Sequence, residues 1–410
     1  MSMFSFRRDC KMIRHFYPVG HGAFYVEEFN SFYIVYDCGT LARGRGAQTT
    51  INKRIKPIIE NEMDKNKPIL ALFISHFDAD HVNGIDLLSK HCKIKNIFFP
   101  FRTDKEINIL EYLITLSSSK AVSEYYNSII YKIFSSSFDN IIVEGTHLYA
   151  VRSIEDSENN ESNETIALDE NGESRGYNII NSGREITISS FKEWIYIPYN
   201  FDFYKGQKDF IKEVNKRIPI TKGKTDEKIL QIIEKMLINA FTSTKEKITE
   251  CFGKKGPEIN KKSLVVYSGP PISQEKCHSY SVDLCYYYSE YLFYDYAGKI
   301  IHSRINANPG CLYLGDCNVK DGNYNVLISK YQEYIKYIGI VQIPHHGSIE
   351  NSDNQLIEGE FKKQVLFVIS ASSSDKKHPA ISIIESLLIN FCNFKVITEI
   401  NNSLIVACIN

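Results

Sequence analysis

The sequence predicts a mixed α/β fold in which two β-sheets pack face to face with helices outside them. Short apolar runs rich in β-branched and aromatic residues alternate with segments at helical spacing along the 410 residues. In both halves of the chain such runs end at once in metal-competent side chains. Ile69 to Ile74 leads into His76, Asp78, Asp80 and His81; Cys311 to Leu314 leads into Gly315-Asp316; Gly339 to Ile343 leads into His345 and His346. A strand delivers its last residues to the sheet edge, so strand ends from the two halves can surround one point. A hydrophobic fraction of 43% supplies a sizeable core, and the whole chain, 1–410, reads as a single domain carrying insertions.

Taken in order, Ile13 to Gly39 reads as a β-hairpin. Two aromatic-rich runs flank an Asn30-Ser31 turn, with Val19-Gly20-His21-Gly22 inside the first and Asp37-Cys38-Gly39 closing the second. Here the lone turn histidine, His21, is expected to be solvated, and Asp37 to brace a neighbouring loop by hydrogen bonds. Four metal-competent side chains within six residues, directly after a buried strand, make 76–81 more than a charged loop. Ile94 to Phe99 is a further strand, with helices expected at Lys105 to Leu116 and Ala121 to Phe134, and short strands at Ile141 to Val143 and Leu148 to Val151. Ser153 to Gly176 holds eight acidic residues against one arginine and reads as a surface loop. Glu185 to Tyr199 reads as a strand pair around the only tryptophan, Trp194. From Lys205 to Lys262 the balance becomes fifteen basic residues against eight acidic ones, on an amphipathic helical pattern. The span 153–262 is therefore expected to be an acidic loop plus a basic helical insertion, and 268–310 an extra loop or hairpin. Cys277-His278, within that span, lacks the second pair that a zinc site needs.

Composition narrows the class. Net charge is only −1, so any nucleic-acid contact must come from a local patch. Ten cysteines without a C-x-x-C pair predict buried thiols rather than a disulfide framework. No apolar stretch of signal-peptide length lies within 1–14, and no run approaches 18 residues, which predicts a cytoplasmic protein without a membrane channel.

Five motifs then carry a resemblance. His76-x-Asp78-x-Asp80-His81 resembles the metallo-β-lactamase-fold signature His-x-His-x-Asp-His with its second histidine changed to aspartate. Preceded by Ser75 and followed by Gly84, this version is similar to the hydrolase domain of the ComEC/Rec2 competence proteins. Asn260-x-x-Ser263 opening a strand, Gly315-Asp316 ending one, and Pro344-His345-His346-Gly347-Ser348 occur in that group's order, and His378-Pro379 stands where the group has Gly-His-Pro, with Lys377 in place of the glycine. The resemblance implies an αββα sandwich and two divalent metals, Zn²⁺ or Mn²⁺. It implies ligands from His76, Asp78, Asp80, His81, Asp316, His345 and His346, with Asp316 as the bridge. Adjacent residues of an extended chain point apart, so only one of the tandem histidines is expected to ligate. Most zinc members have a further histidine before the Gly-Asp element, and His147 is the residue available to take that place.

Carboxylate in place of imidazole at Asp78 hardens one site toward Mn²⁺ or Mg²⁺, although Zn²⁺ retains its general advantage. Charge-rich pairs of this kind suit phosphodiesters. The function expected is a metal-dependent phosphodiesterase or nuclease acting on DNA, single-stranded or flexible DNA being favoured. Asp80, Asp316 and His378 are the catalytic candidates. Ser348 and the cations Lys254, Lys255, Lys261 and Lys262 are candidates for contacting the substrate. The alternatives are a hydrolase of cyclic nucleotides, phosphoesters or lactones, and a non-catalytic assembly subunit. The insertions also offer a protein-partner surface, and fold-level analogy adds phage defence or DNA uptake as a setting.

Overall fold

A computed structural model describes residues 11–41, 47–101, 109, 113–116, 118–135, 145–154, 165–172, 176–202, 210–251, 262–272, 282–288, 299–304, 308–320, 322–361, 365–399 and 405–409. Two sheets dominate. The first contains β1 (Met12–Phe16), β2 (Phe24–Glu28), β3 (Tyr33–Cys38), β4 (Ile69–Phe73), β5 (Asn96–Pro100), β6 (His147–Val151) and β8 (Gly176–Ile180), with β12 (Val282–Tyr288), β13 (Lys299–Arg304) and β18 (Ile405–Ile409). The second contains β7 (Ile166–Leu168), β9 (Ile186–Ile188), β10 (Ile195–Asp202), β11 (Lys262–Gly269), β14 (Gly310–Tyr313), β15 (Ile338–Gln342), β16 (Leu366–Ser370) and β17 (Asn393–Ile397). The strand orders are 13-12-18-1-2-3-4-5-6-8 and 17-16-15-14-11-10-9-7, and both sheets mix parallel with antiparallel pairs.

Side-chain alternation explains the layering. Along β3, Ile34 and Tyr36 face the second sheet while Tyr33 and Val35 face the helices; along β16, Leu366 and Val368 face inward while Phe367 and Ile369 face outward. Strands buried on both faces read as continuous apolar runs, which is why these segments lack polar alternation. Helices cover the outer faces, giving the αββα sandwich. The intersheet core holds Trp194, Phe16, Phe73 and Phe98, together with a buried ion pair. There Arg14 Nε donates to Glu27 Oε1 at 2.8 Å, and the hydroxyls of Tyr313 and Tyr196 donate to Glu27 at 2.9 and 2.6 Å.

The segment 153–262 is divided between sheet and helix rather than lying outside the sandwich. β7 falls inside the stretch expected to be an acidic loop, and β8 and β10 join the two sheets directly. The reason is inward packing: Leu168, Ile180, Ile186, Ile188 and Trp194 fill the intersheet core whatever the charge of the intervening residues. Helices Phe210–Arg217, Asp226–Asn239 and Phe241–Cys251 follow, burying Val214, Ile229, Ile233, Leu237 and Ile248 with the helical layer of the first sheet. Within 268–310, β12 and β13 form a hairpin that extends the first sheet beyond β18. The expected helix 121–134 is interrupted at Ser128, whose hydroxyl caps Tyr131 N at 3.1 Å. Expected elements at 105–108 and 141–143 lie outside the described residues. Among the described residues Cys38, Cys92, Cys251, Cys311 and Cys317 are buried free thiols, and no helix is long and apolar enough to cross a membrane.

Glu27→Ala leaves Arg14 charged and uncompensated at 0% side-chain exposure. Urea denaturation is expected to show a loss of about 3–5 kcal/mol, and a paired replacement by apolar residues a much smaller one.

Candidate metal centre

The parallel strands set the site's position. β3, β4, β14, β15 and β16 all end at one edge of the sandwich, where ligands of open α/β sheets gather. Asp37 is the penultimate residue of β3, His76 follows β4, Asp316 follows β14, the tandem histidines follow β15, and Asp375 and His378 follow β16. The two sheets are joined there by Leu264 N donating to Ser75 O at 2.7 Å.

Asp37 is fully buried and has a left-handed φ of 55°. Its carboxylate accepts Ser75 N at 2.7 Å, Ser75 Oγ at 2.6 Å and His81 Nδ1 at 2.8 Å. Because the serine proton goes to Asp37, Ser75 Oγ accepts from His76 Nδ1 at 2.9 Å. His345 Nδ1 donates to Asn351 Oδ1 at 2.7 Å, and His346 Nδ1 to Ser370 O at 2.8 Å. All four imidazoles thus engage an outer partner through Nδ1 and turn Nε2 toward the site. Outer partners of this kind fix the tautomer of metal-binding histidines.

Asp316 stands between the rings. Its Oδ1 lies 3.2 Å from His81 Nε2, and its Oδ2 lies 3.7 Å from His76 Nε2 and 3.8 Å from His345 Nε2. Asp78 Oδ2 is 3.8 Å from His76 Nε2, and Asp80 Oδ2 is 3.5 Å from His346 Nε2. The strand tip is fixed by Gln342, whose Oε1 accepts Leu314 N and Gly315 N, both at 2.7 Å, and by Ser263 Oγ, which accepts Asp316 N at 3.1 Å. Only glycine fits at 315: φ is 54°, and a Cβ would lie 2.3 Å from Ser263 Oγ and 2.6 Å from Ser75 Cβ.

Charge follows from this packing. Burial disfavours a charge on His81, but Asp316 and Asp37 outweigh it and hold its pKa well above the ordinary value. Burial and then His81 push His76 down to about 3, so that ring is neutral. Burial works against ionised Asp316, yet His81, His345 and His76 hold it well below the usual carboxylate range.

A divalent ion fits these donors. His76 Nε2, His81 Nε2, His346 Nε2 and Asp316 Oδ1 are buried without a hydrogen-bond partner, which is costly unless something else meets them. His76, His81 and Asp316 form one set of mutually close donors, and His21, Asp80 and His346 another.

Both tandem histidines turn inward, contrary to the expectation that only one would. His345 and His346 have φ of 46° and 56°, so the alternation of an extended chain does not apply. His21, expected to be solvated, is 8% exposed, with its ring centroid 3.8 Å from that of His346. The glycines flanking it, with φ of 81° and 140°, are the sequence signal for that turn. His378 stands at the rim, its Nδ1 3.0 Å from Asp375 Oδ2; nothing in the motifs marked Asp375. Ser348 is buried and its hydroxyl accepts Glu350 N at 3.2 Å. His147 lies at the start of β6, opposite Asn96, at the far edge of the sheet, where it meets Asn178 at 3.0 Å. Parallel β4 and β6 thus place His147 at the sheet edge opposite the one where His76 stands. Lys254, Lys255, Lys261 and Cys277-His278 lie outside the described residues, and Lys262 opens β11.

No protein-family model and no curated protein matches the sequence. Two solved structures to which the chain is similar are the metallo-β-lactamase fold protein YhfI from Bacillus subtilis and the short form of human tRNase Z. Identity to the first is 9%, over 46% of this chain and 53% of that one, with a TM-score of 0.19. Identity to the second is 11%, over 46% and 60%, with a TM-score of 0.21. The matches span little more than half the length of those structures, and such values carry neither activity nor substrate to this chain. The sheet order and helical layers themselves define the fold class, an αββα sandwich of two mixed sheets.

Asp37→Ala is expected to lower divalent-metal affinity about 10–100-fold in chelator competition, since it orients His81 and Ser75. His345→Ala and His346→Ala are each expected to lower it as well. Metal uptake at neutral pH should release a proton from His81, so affinity falls as pH falls; calorimetry in buffers of different ionisation enthalpy reads this directly.

Proposed function

We propose that the protein is a metal-dependent phosphodiesterase, acting as a nuclease on DNA, with single-stranded or flexible DNA preferred. The observation that carries this reading is Asp316, whose two carboxylate oxygens face different histidines at 3.2 Å and 3.7 Å. A carboxylate so placed suits a bridge between two cations. His76, Asp78 and His345 would hold the one on the Oδ2 side; His81, Asp80 and His346 would hold the one on the Oδ1 side. When bound, such a pair supplies Lewis-acid polarisation of a phosphoryl oxygen and a water of lowered pKa.

The chain's own residues prepare that chemistry. Asp37 and Ser75 hold His76 and His81 in one tautomer, and Gln342 fixes the backbone that presents Asp316. Neutral His76 and ionised Asp316 are both in the protonation state a cation requires. His378, oriented by Asp375, meets substrate at the rim of the pocket. The ComEC-like pattern of motifs adds the nucleic-acid substrate class, and the basic segment around Lys254, Lys255, Lys261 and Lys262 adds cations for the flanking phosphates.

Metal-depleted protein re-supplied with Mn²⁺, Zn²⁺ or Mg²⁺ is expected to cut single-stranded DNA faster than duplex DNA, RNA or cyclic nucleotides. Turnover on cyclic nucleotides alone would instead establish a small-molecule hydrolase. Asp80→Ala and Asp316→Ala should each abolish hydrolysis with the fold intact, since water activation is worth several kcal/mol. Wild-type turnover in either variant would place catalysis elsewhere.

A further inference from the structure

A third cluster, sharing His21 with the second inner donor set, lies at the mouth of the site. His21 Nδ1 lies 3.2 Å from Asp375 Oδ2, is buried and meets no hydrogen-bond partner. From the other side His378 Nδ1 lies 3.0 Å from the same carboxylate oxygen. One donor atom from each of the three residues falls within 4.8 Å of the other two. A hydrogen-bonded pair of Asp375 and His378 accounts for only one of these imidazoles. It leaves unexplained a buried nitrogen facing a carboxylate without forming a hydrogen bond to it. A four-coordinate cation accounts for both: bonds of about 2.0–2.1 Å put tetrahedral donors about 3.3 Å apart, close to both separations.

The loops that carry the cluster are fastened to each other without it. Asp375 Oδ1 accepts Lys377 N at 2.8 Å. Glu399 accepts Ser373 N at 2.9 Å and Ser373 Oγ at 2.8 Å, and stands 3.6 Å from Arg54 Nη2. Arg54 Nη1 in turn donates to Val19 O at 3.3 Å, two residues before His21. The β1–β2 turn and the loop after β16 are thus held in register, which presets the three donors rather than leaving them to a flexible surface. His378 and Asp375 each keep 21% side-chain exposure, while the inner His76, His81 and Asp316 keep 4% or less. The cluster therefore opens toward solvent.

We propose that His21, Asp375 and His378 form a third, outer cation position whose open side takes an anionic oxygen of the substrate. The His₂-carboxylate donor set with one side open is of the type that accepts Zn²⁺ and an exchangeable oxygen ligand. This rests on the phosphodiesterase reading and supplies its rim contact: His378 meets the phosphate next to the scissile one through the cation. His21, which also neighbours Asp80 and His346, sits between the outer position and the inner pair.

The test is a Zn²⁺ titration of the metal-free full-length chain, with bound zinc counted by mass spectrometry after gel filtration and melting curves of the metal-free proteins as the fold control. Wild type is expected to bind three equivalents. Asp375→Ala and His378→Ala are expected to bind two, with unchanged metal-free melting. Asp375→Asn, which keeps a hydrogen-bonding oxygen but is a poor ligand, should lose the same equivalent even if the alanine variant fails to fold. Asp316→Ala should lose inner zinc and keep the outer equivalent. Two equivalents in both wild type and Asp375→Asn would overturn the outer position while leaving the inner pair intact. A wild type that binds no zinc would overturn both readings.

Discussion

The buried carboxylate of Asp37 is the group on which the site's geometry depends. It satisfies three donors at once, from Ser75 N, Ser75 Oγ and His81 Nδ1, at the point where β3 and β4 end side by side. Ser75 passes the constraint on to His76. One carboxylate thereby sets the tautomer and the direction of two imidazoles. Burial raises the Asp37 pKa, while His81 and Ser75 oppose that rise. A buried carboxylate is costly unless its lone pairs are met, and here donors reach both oxygens. The cost of burying charge is spread over Asp37, His81 and Asp316, each compensating its neighbour.

Backbone strain gathers around the same point. Asp37, His345 and His346 occupy the left-handed region, where a non-glycine residue costs of order 1–3 kcal/mol. The surrounding structure over-determines them. Gly39 shows how close the chains pass: a Cβ there would lie 2.3 Å from Asp80 O. The ligand loops are therefore pressed against the strand ends rather than standing free in solvent. The intersheet core, with Trp194 Nε1 donating to Ser268 Oγ at 2.8 Å and Arg14 paired to Glu27, supplies the rigidity that holds strained loops in place. Precision at the site and packing between the sheets are one construction.

Much of this was legible in the chain. Apolar runs ending in His76, Asp78, Asp80 and His81, in Asp316, and in His345 and His346 marked three loops that the fold brings together. Asp37 was legible as a brace from its place near the end of a strand in Asp37-Cys38-Gly39. The insertion boundaries were not, because the acidic stretch around β7 hides Leu168 among charged residues, and composition outweighs two or three inward-facing side chains in any window. That both tandem histidines turn inward was not legible because alternation assumes an extended backbone, and their positive φ angles belong to the loop's tertiary setting. His21 was taken as solvated because exposure is a property of what packs above a turn, here His346 and the loop carrying Asp375.

The sequence by itself determined the class of the fold and the chemical character of the site, because hydrophobic period and strand-end motifs are local properties. Which side chains share a point was decided only by the tertiary structure. Parallel strands of two sheets had to end at one edge before Asp316 could face His81 on one oxygen and His76 on the other. Parallel β4 to β6 had to carry His147 to the edge opposite His76. And the turn at His21 had to meet the loop after β16, more than three hundred residues away, before Asp375 acquired any role. Contacts at that separation depend on how the sheets stack, which no local pattern encodes.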